Sequence, residues 1–183
     1  MKPNDRPSTR RGFLQQSGVI LAGTGLGLGF PTIVPRSVLG GADEPAPSAK
    51  IRIGCIGVGN QGRGNLGKHL KNTVAVCDVD SDRLGEARAR VEKATGRSCA
   101  AYGDYRRLLD NKDVDAVVIT TADHWHALMT IDACRAGKDV YCEKPLTLTI
   151  AEAKSVMDTV RKYDRVFQVG SQQRSEGPFY KAV

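Results

Sequence analysis

The sequence predicts an α/β fold in which a doubly wound parallel sheet is covered by helices on both faces. Three observations predict it. Apolar runs alternate with helical apolar periods from residue 51 onward, a glycine-rich loop follows the first apolar run, and "VDAVVITT" contains an unbroken Val/Ile run. Such a run is typical of a parallel strand buried on both faces. A regular strand–helix alternation favours right-handed βαβ units.

The first half of this region predicts three strands, each followed by a helix. "IRIGCIG" is the first strand, and its helix places Leu66 and Leu70 one turn apart. "TVAVCDVD" is the second strand, and the helix after it ends at Gly96, with one face formed by Leu84, Ala87, Val91 and Ala94. A weak third strand lies near residues 99–102, and Asp104 is placed to cap a short helix.

The second half continues the same alternation. "VDAVVITT" is the fourth strand, and its helix ends at Gly137 with an inward face predicted at Leu128, Ile131 and Cys134. "DVYC" is the fifth strand. Thr149 is placed to cap the last helix, where Ala153, Val156, Met157 and Val160 share a face. "RVFQVG" predicts the sixth strand.

The N-terminal residues have the pattern of an export signal. A twin-arginine motif, "TRRGFL" at residues 9–14, precedes the uncharged, glycine-rich residues 18–30, and small residues follow near 40–42. The apolar stretch is too short and too rich in glycine for a good membrane span. We therefore predict a twin-arginine signal peptide over residues 1–42, which implies export of a folded protein to the periplasm. A disordered basic tail is the alternative.

Composition excludes several other classes. The formal charge is +7, but no long basic run is interleaved with aromatic residues, so nothing favours nucleic-acid binding. The five cysteines are widely spaced with no CxxC, which argues against a zinc site or a disulfide framework. The Pro/Ala-rich residues 43–50 read as a linker between the signal and the folded domain.

The loop after the first strand carries the pattern expected of a dinucleotide site. "GVGNQG" places Gly57, Gly59 and Gly62 in a G-x-G-x-x-G motif between a strand and a helix. Such glycines allow the tight turn, the approach of a pyrophosphate to the backbone, and close packing of the helix. We include Asn60 and Gln61 of the same loop among the predicted cofactor-binding residues.

Asp78 ends the second predicted strand, where a carboxylate can accept hydrogen bonds from ribose hydroxyls. A carboxylate there repels a 2′-phosphate, so NAD is favoured over NADP. A helix-capping or solvated acid is the alternative. Arg83 is also a candidate cofactor contact, because it could reach a 2′-phosphate, although a solvated helix arginine is equally consistent with the pattern.

The fourth predicted strand ends in polar residues, "TTADHWHA". Thr120 and Thr121 place hydroxyls at the edge of the sheet. His124 and His126 form an H-x-H pair, but a third metal ligand would have to come from elsewhere, so we predict no metal. The functional interpretation places His126 and Trp125 against the nicotinamide end of the cofactor, and the alternative is capping and packing at the start of a helix.

Glu143, Lys144 and Pro145 follow the fifth predicted strand, beside the expected position of the nicotinamide. Lys144 could reach a substrate hydroxyl there and take part in proton transfer, so it is the predicted catalytic residue. Pro145 fixes the turn, with a cis peptide bond as one possibility. From chemistry alone, a surface ion pair before a helix is nearly as plausible.

The chain from about residue 51 to 180 resembles the N-terminal half of the Gfo/Idh/MocA oxidoreductases. The resemblance rests on "GVGNQG", "CDVD", "VDAVVITTADHWHA" and above all "AGKDVYCEKPLTLT". It implies an NAD(P)-binding Rossmann domain, a secondary CH–OH of a sugar or polyol as substrate, and contact of Lys144 with substrate and cofactor. It also adds Glu143 to the cofactor-binding residues. The family usually has Thr-Pro where this chain has Thr121-Ala122.

The resemblance also implies a C-terminal α+β domain, with an acid/base histidine, that this chain lacks. We therefore expect the Rossmann domain over residues 51–170, the start of a truncated second domain over 171–183, and no activity from this chain alone. The full-length protein is expected to form a homo-oligomer and to contact no membrane after export. The alternatives are a glycoside hydrolase acting by transient oxidation with bound NAD, and a non-catalytic nucleotide-binding fragment.

Overall fold

The structure, a computed structural model, describes Ala46 and residues 50–172. The predicted signal peptide and most of the predicted linker therefore lie outside the described residues, as do residues 173–183. The described part alternates strictly between strand and helix and ends in a sixth strand. This alternation confirms the predicted α/β class.

The elements are short and closely spaced. The strands are β1 (Ile53–Ile56), β2 (Thr73–Cys77), β3 (Ala100–Tyr102), β4 (Ala116–Ile119), β5 (Asp139–Cys142) and β6 (Phe167–Val169). The helices are α1 (Asn60–His69), α2 (Ser81–Thr95), α3 (Tyr105–Leu109), α4 (Asp123–Arg135) and α5 (Ile150–Lys162), and a 3₁₀ turn (Leu70–Asn72) joins α1 to β2. Among the described helices, none combines the length and apolar character needed to cross a bilayer.

All six strands pair in parallel, in the order β3-β2-β1-β4-β5-β6. The centre of the sheet is β1, where Ile56 lies opposite Cys77 of β2 and Ile119 of β4. The chain moves outward from β1 to β3 and then crosses to the other side at β4. The strand order therefore reverses between β1 and β4, and ligands of such sheets bind outside the carboxyl ends of the strands at this point.

The core is divided between the two faces of the sheet. On one face Val76 and Val118 pack with Leu66 of α1 and Val91 of α2. On the other, residues that alternate with them along the strands pack with α3 and α4, among them Ile56, Cys77, Ile119, Leu108 and Ala133. Because successive strand residues point to opposite faces, helices cover both sides, as doubly wound packing requires.

The predicted helix boundaries follow local chemistry. Gly96 ends α2 in the left-handed region with φ +66°, and its N–H donates to the Glu92 carbonyl. The Asp104 carboxylate accepts from the Arg106 N–H at the start of α3. Thr149 and Glu152 form a capping box at the start of α5. These three boundary predictions are confirmed.

The predicted inward face of α4 was wrong at Leu128, whose exposed fraction is 42%. The buried face is instead formed by His126, Ala127, Met129, Thr130, Ala133 and Cys134. Most of these side chains are small, which lets the helix backbone approach the sheet closely. Met157 of α5 is exposed for 43% of its surface in the same way, although Val156 beside it is buried.

Candidate functional site

A cleft of about 580 Å³ opens at the carboxyl ends of β1, β2, β3 and β4, beside the reversal of strand order. Of the residues predicted from sequence, those that line it are Gly57, Gly59, Asp78, Arg83, Thr120, Thr121 and Trp125. The lining does not include Asn60, Gln61, Gly62, His126, Glu143 or Lys144. The cleft thus joins the glycine loop, the end of β2 and the end of β4 in one site.

The glycine loop has no room for larger residues at two positions. Gly57 has φ +81°, and a Cβ there would collide with the carbonyl oxygen of Thr120. A Cβ at Gly62 would collide with the carbonyl oxygen of Gly57 and approach its carbonyl carbon to 2.8 Å. The first turn of α1 therefore packs directly on the loop, and a helix N-terminus that follows such a loop is suited to phosphate.

Asp78 is held in place by the loop itself. One carboxylate oxygen accepts from the Val58 N–H at 2.8 Å, and the other accepts from the Asp80 N–H at 3.0 Å. An ionised carboxylate offers about four acceptor positions, so two donors leave capacity for a ligand. The half-buried side chain lines the cleft beside Gly59 and can accept hydrogen bonds from a diol.

Arg83 projects from α2 toward the loop. Its guanidinium nitrogen Nη1 lies 3.3 Å from the position that a Cβ on Gly59 would occupy. The side chain is 54% exposed and pairs with Asp80, with 3.4 Å between Nε and Oδ2. The Arg83 guanidinium therefore lies next to the glycine loop, and the Asp80 carboxylate partly neutralises its charge.

Apart from Trp125, which the sequence placed against the nicotinamide, the opposite wall of the cleft was not anticipated from the sequence. It is built from Tyr105, Arg106, Trp125 and Met129. The rings of Tyr105 and Trp125 meet edge to face with centroids 6.5 Å apart, and the Arg106 guanidinium lies 4.7 Å from the Tyr105 ring centroid. Burial, with a hydrogen bond to Asp132, raises the pKa of Tyr105 to about 12, so this wall stays neutral at its phenol. The sequence signal that could have predicted this wall is Tyr105, an aromatic residue directly after the capping residue Asp104.

The two threonines that follow β4 line the cleft where the strand order reverses. The Thr120 hydroxyl accepts from the Asn65 side chain at 3.3 Å, and the backbone N–H of Thr120 donates to the Ile56 carbonyl. The Thr121 hydroxyl contacts the Met129 sulfur at 3.7 Å. Both residues follow β4 directly, as the sequence predicted, and both line the cleft.

His126 does not reach the cleft. It is 1% exposed, with Nδ1 2.7 Å from the Pro145 carbonyl oxygen and Nε2 3.1 Å from the Thr121 carbonyl oxygen. It lies on the buried face of α4, so the structure places it between two turns rather than against a ligand. Trp125 does line the cleft, while His124 is exposed and tilted against the Trp125 ring. In the part of the chain that the structure describes, no three His, Cys, Asp or Glu side chains are grouped to hold a metal.

Glu143 and Lys144 follow β5 directly and lie in opposite environments. Glu143 is 6% exposed, and Lys144 is exposed. The Lys144 N–H donates to Glu143 Oε2 at 3.3 Å, and the Lys144–Pro145 peptide bond is cis. Burial would raise the pKa of Glu143, but hydrogen bonds, from the Asn65 side chain first, outweigh it and lower the pKa. The carboxylate is thus kept ionised inside the protein, and the ammonium stands outside.

A reversal of strand order that carries a glycine loop, a strand-end carboxylate and an adjoining cleft defines a dinucleotide-binding domain. The chain belongs to the Gfo/Idh/MocA family, an oxidoreductase family with an NAD-binding Rossmann fold, whose model matches residues 51–171. The described domain is therefore the NAD-binding domain of these oxidoreductases.

Named relatives include enzymes of two kinds. Inositol 2-dehydrogenase of Salmonella typhimurium is 35% identical over 131 residues, covering 68% of this chain and 38% of the relative. Alpha-N-acetylgalactosaminidase of Shewanella oneidensis is 32% identical over 172 residues, covering 84% of this chain and 37% of the relative. The crystal structure of myo-inositol 2-dehydrogenase from Lactobacillus plantarum matches with TM-score 0.62 and 30% identity, over 72% of this chain and 39% of that one. This chain thus spans well under half the length of these relatives.

Proposed function

We propose that this chain is the cofactor-binding part of an exported oxidoreductase that acts on a secondary CH–OH of a sugar or polyol and uses NAD in preference to NADP. The observation that carries the proposal is the Asp78 carboxylate, fixed by the Val58 N–H at the mouth of the cleft. The similarity to a protein named inositol 2-dehydrogenase supports a polyol substrate.

The preference for NAD follows from the charges around the loop. The Asp78 carboxylate retains acceptor positions for a ribose diol and repels the extra phosphate of NADP. Arg83 would attract that phosphate, but its guanidinium already pairs with Asp80. The glycine loop has the close backbone approach that a pyrophosphate needs, so the residues present fit the cofactor.

When bound, NAD supplies the hydride acceptor of the reaction. The residues of the chain would bind and orient it: the loop amides would hold the phosphates, Asp78 would accept from the ribose hydroxyls, and Thr120 and Thr121 would line the site after β4. Lys144 is exposed after β5, the strand next to β4 in the sheet order, and its Nζ can hold the proton of a substrate hydroxyl.

The cofactor preference can be tested by titrating NADH and NADPH against the whole chain. Trp125 is the single tryptophan of the sequence and lines the cleft, so energy transfer to bound NADH reports occupancy. We expect tighter binding of NADH, and a loss of roughly 1–3 kcal/mol of binding free energy in Asp78→Ala. Asp82→Ala, which removes an exposed acid in the first turn of α2, is the matched control. Equal or tighter binding of NADPH would contradict the proposal.

A second candidate is a glycoside hydrolase that oxidises its substrate transiently and retains NAD. It is favoured by the similarity to a protein named alpha-N-acetylgalactosaminidase, which extends over 84% of this chain. The full-length protein, isolated without added cofactor, separates the two candidates. Release of nitrophenol from a nitrophenyl N-acetylgalactosaminide supports the hydrolase, whereas NADH formation from polyols with added NAD supports the dehydrogenase.

We propose export to the periplasm by the twin-arginine route, supported by Arg10, Arg11 and the uncharged residues that follow. The five cysteines, all buried and unpaired, are compatible with a chain that folds before it meets an oxidising compartment. Changing Arg10 and Arg11 to Lys should retain the protein in the cytoplasm, whereas Arg36→Lys should not. Periplasmic protein at the wild-type level in the double variant would refute this route.

We also propose that the full-length protein forms a homo-oligomer. Among the described residues, apolar side chains are exposed near the end of β5 and the start of α5, with 59% of Leu148 and 91% of Ile150 accessible. Sedimentation velocity over a range of concentrations tests this, and a monomer throughout would contradict it.

A further inference from the structure

A buried polar cluster lies beneath the turn that carries Lys144. The Glu143 carboxylate accepts from Asn65 Nδ2 at 2.9 Å and from the Tyr141 hydroxyl at 3.1 Å, both on Oε1, while Oε2 accepts from the Lys144 N–H. The Gln61 side chain also contributes to the lowered pKa of this carboxylate. Asn65 lies on α1, so the helix that begins at the glycine loop directs an amide at the carboxylate.

The cluster joins the separate parts of the site. Asn65 is 4% exposed, and its Nδ2 also lies 3.3 Å from the Thr120 hydroxyl oxygen at the end of β4. Gly170, just after β6, closes the other side, since a Cβ there would lie 2.7 Å from the Tyr141 oxygen and 2.8 Å from Glu143 Oε2. The missing side chain at Gly170 therefore leaves the room in which the Tyr141 hydroxyl and the Glu143 carboxylate lie.

We propose that Asn65 is a positioning residue, which acts through Glu143 to fix the turn carrying Lys144 relative to the glycine loop. The proposal rests on the function proposed above, in which the loop binds NAD and Lys144 lies beside the nicotinamide. Neither Asn65 nor Glu143 lines the cleft, so their effect passes through hydrogen bonds and not through contact with a ligand. Glu143, predicted from the family resemblance as a cofactor contact, acts here as the anchor of the turn.

The test exchanges the partners of this pair. Asn65→Asp keeps the shape of the side chain but faces the buried Glu143 carboxylate with a second carboxylate. Glu143→Gln removes the charge, and the double variant Asn65→Asp/Glu143→Gln restores one amide and one carboxylate with their roles reversed. Asn65→Ser removes the amide without adding charge. Asn111→Asp, which alters an amide bonded to the Tyr102 hydroxyl, is the control.

The first readout is the acylation rate of Lys144 by acetic anhydride, measured by mass spectrometry with and without saturating NADH. Exposed Lys154 on α5 is the internal reference. We expect NADH to slow acylation of Lys144 about fivefold in the wild type, the lower end of ordinary coupling between sites. This protection should be lost in Asn65→Asp and Asn65→Ser, retained in Asn111→Asp, and at least half restored in the double variant. A purely structural Asn65 would change stability and leave the protection of a saturated, folded variant intact.

The second readout is amide hydrogen exchange of residues 143–149 without cofactor. Faster exchange in Asn65→Asp and Asn65→Ser, but not in Asn111→Asp, supports the proposal, and unchanged exchange overturns it. Protection that survives in both Asn65 variants also overturns it. Wild-type protein that binds no NADH refutes the proposed cofactor function instead, and wild-type protein that binds NADH without protecting Lys144 refutes the role proposed for that lysine. In both cases exchange of residues 143–149 still decides whether Asn65 holds the turn.

Discussion

Charged side chains have different partners at the two edges of the sheet. At the amino edge, before β1, the Arg52 guanidinium lies 2.6 Å from Asp113 and 3.0 Å from Asp115. Before β5, the Lys138 ammonium is buried and donates to the carbonyl oxygens of Asn111 and Val114 at 2.8 and 2.7 Å. At the carboxyl edge, the Asp78 carboxylate accepts from two backbone N–H groups and lines an open cleft.

The difference separates charges that hold the fold from charges that serve a ligand. The hydrogen bond from Arg52 lowers the pKa of Asp115, and burial lowers the pKa of Lys138, so both report interactions within the protein. Arg52 pairs with carboxylates, and Lys138 donates to backbone carbonyl oxygens, so the partners of both cations belong to the protein itself. Asp78 retains acceptor positions at the mouth of the cleft, and substitution there should affect binding more than stability.

The largest effect is expected from the glycine loop at the carboxyl edge. Gly62→Ala forces a methyl group against the Gly57 carbonyl, which should displace the loop amides. We expect NADH affinity to fall roughly 10- to 100-fold, as for the loss of one well-placed hydrogen bond. Overpacking should also cost about 1–3 kcal/mol in the free energy of unfolding. NADH titration and urea denaturation measure the two effects.

Gly64→Ala is the matched control for this substitution. Gly64 lies in the same helix, but a Cβ there meets nothing within 4 Å. The alanine should therefore raise the free energy of unfolding by about 0.5–1 kcal/mol through helix propensity and leave affinity unchanged. Equal loss of NADH binding in both variants would show that the close contact at Gly62 is not what shapes the loop.

A smaller effect, of the opposite kind, is expected at the amino edge. Lys138→Met fills similar volume but leaves the carbonyl oxygens of Asn111 and Val114 without their donor. We expect a loss of about 1–3 kcal/mol in the free energy of unfolding. NADH affinity at a temperature where the variant is folded should match the wild type. A marked fall in NADH affinity would contradict the division between charges that stabilise the fold at the amino edge and charges that bind a ligand at the carboxyl edge.

The smallest effect concerns the buried carboxylate of Glu143 and depends on pH. Its folded-state pKa lies below the ordinary value of 4.5, so the native state binds fewer protons there than the unfolded state. The stabilisation is present above pH 4.5 and is lost as the pH falls through the folded-state pKa. Urea denaturation at a series of pH values should show a gap between wild type and Glu143→Gln of about 1 kcal/mol at neutral pH that closes in acid.

The control for this pH dependence is Glu86→Gln, which removes an exposed partner of Arg63. Its stability should run parallel to the wild type across the same pH range, because a solvated ion pair contributes little. A gap between wild type and Glu143→Gln that widens in acid would show that the carboxylate is not stabilised in its ionised form.

The sequence alone determined the features that depend on neighbouring residues. Gly96, Asp104 and Thr149 end or begin helices through hydrogen bonds within a few residues, so their roles could be read from the chain. The parallel arrangement of the strands followed from the regular alternation of strand and helix, because a helix between two strands of one sheet lets both run in the same direction. The glycine pattern between β1 and α1 also predicted the position of the cleft, because the motif lies within a single loop of the chain.

Tertiary structure decided which residues meet across the sheet. Asn65 and Glu143 are far apart in sequence, and their hydrogen bond exists only because α1 packs beside the end of β5. The outward turn of Leu128 and the burial of His126 depend on how closely α4 approaches the strands. Apolar periodicity records that a helix has a buried side, but the rotation of that side is set by the shapes it packs against, and these are contributed by distant parts of the chain.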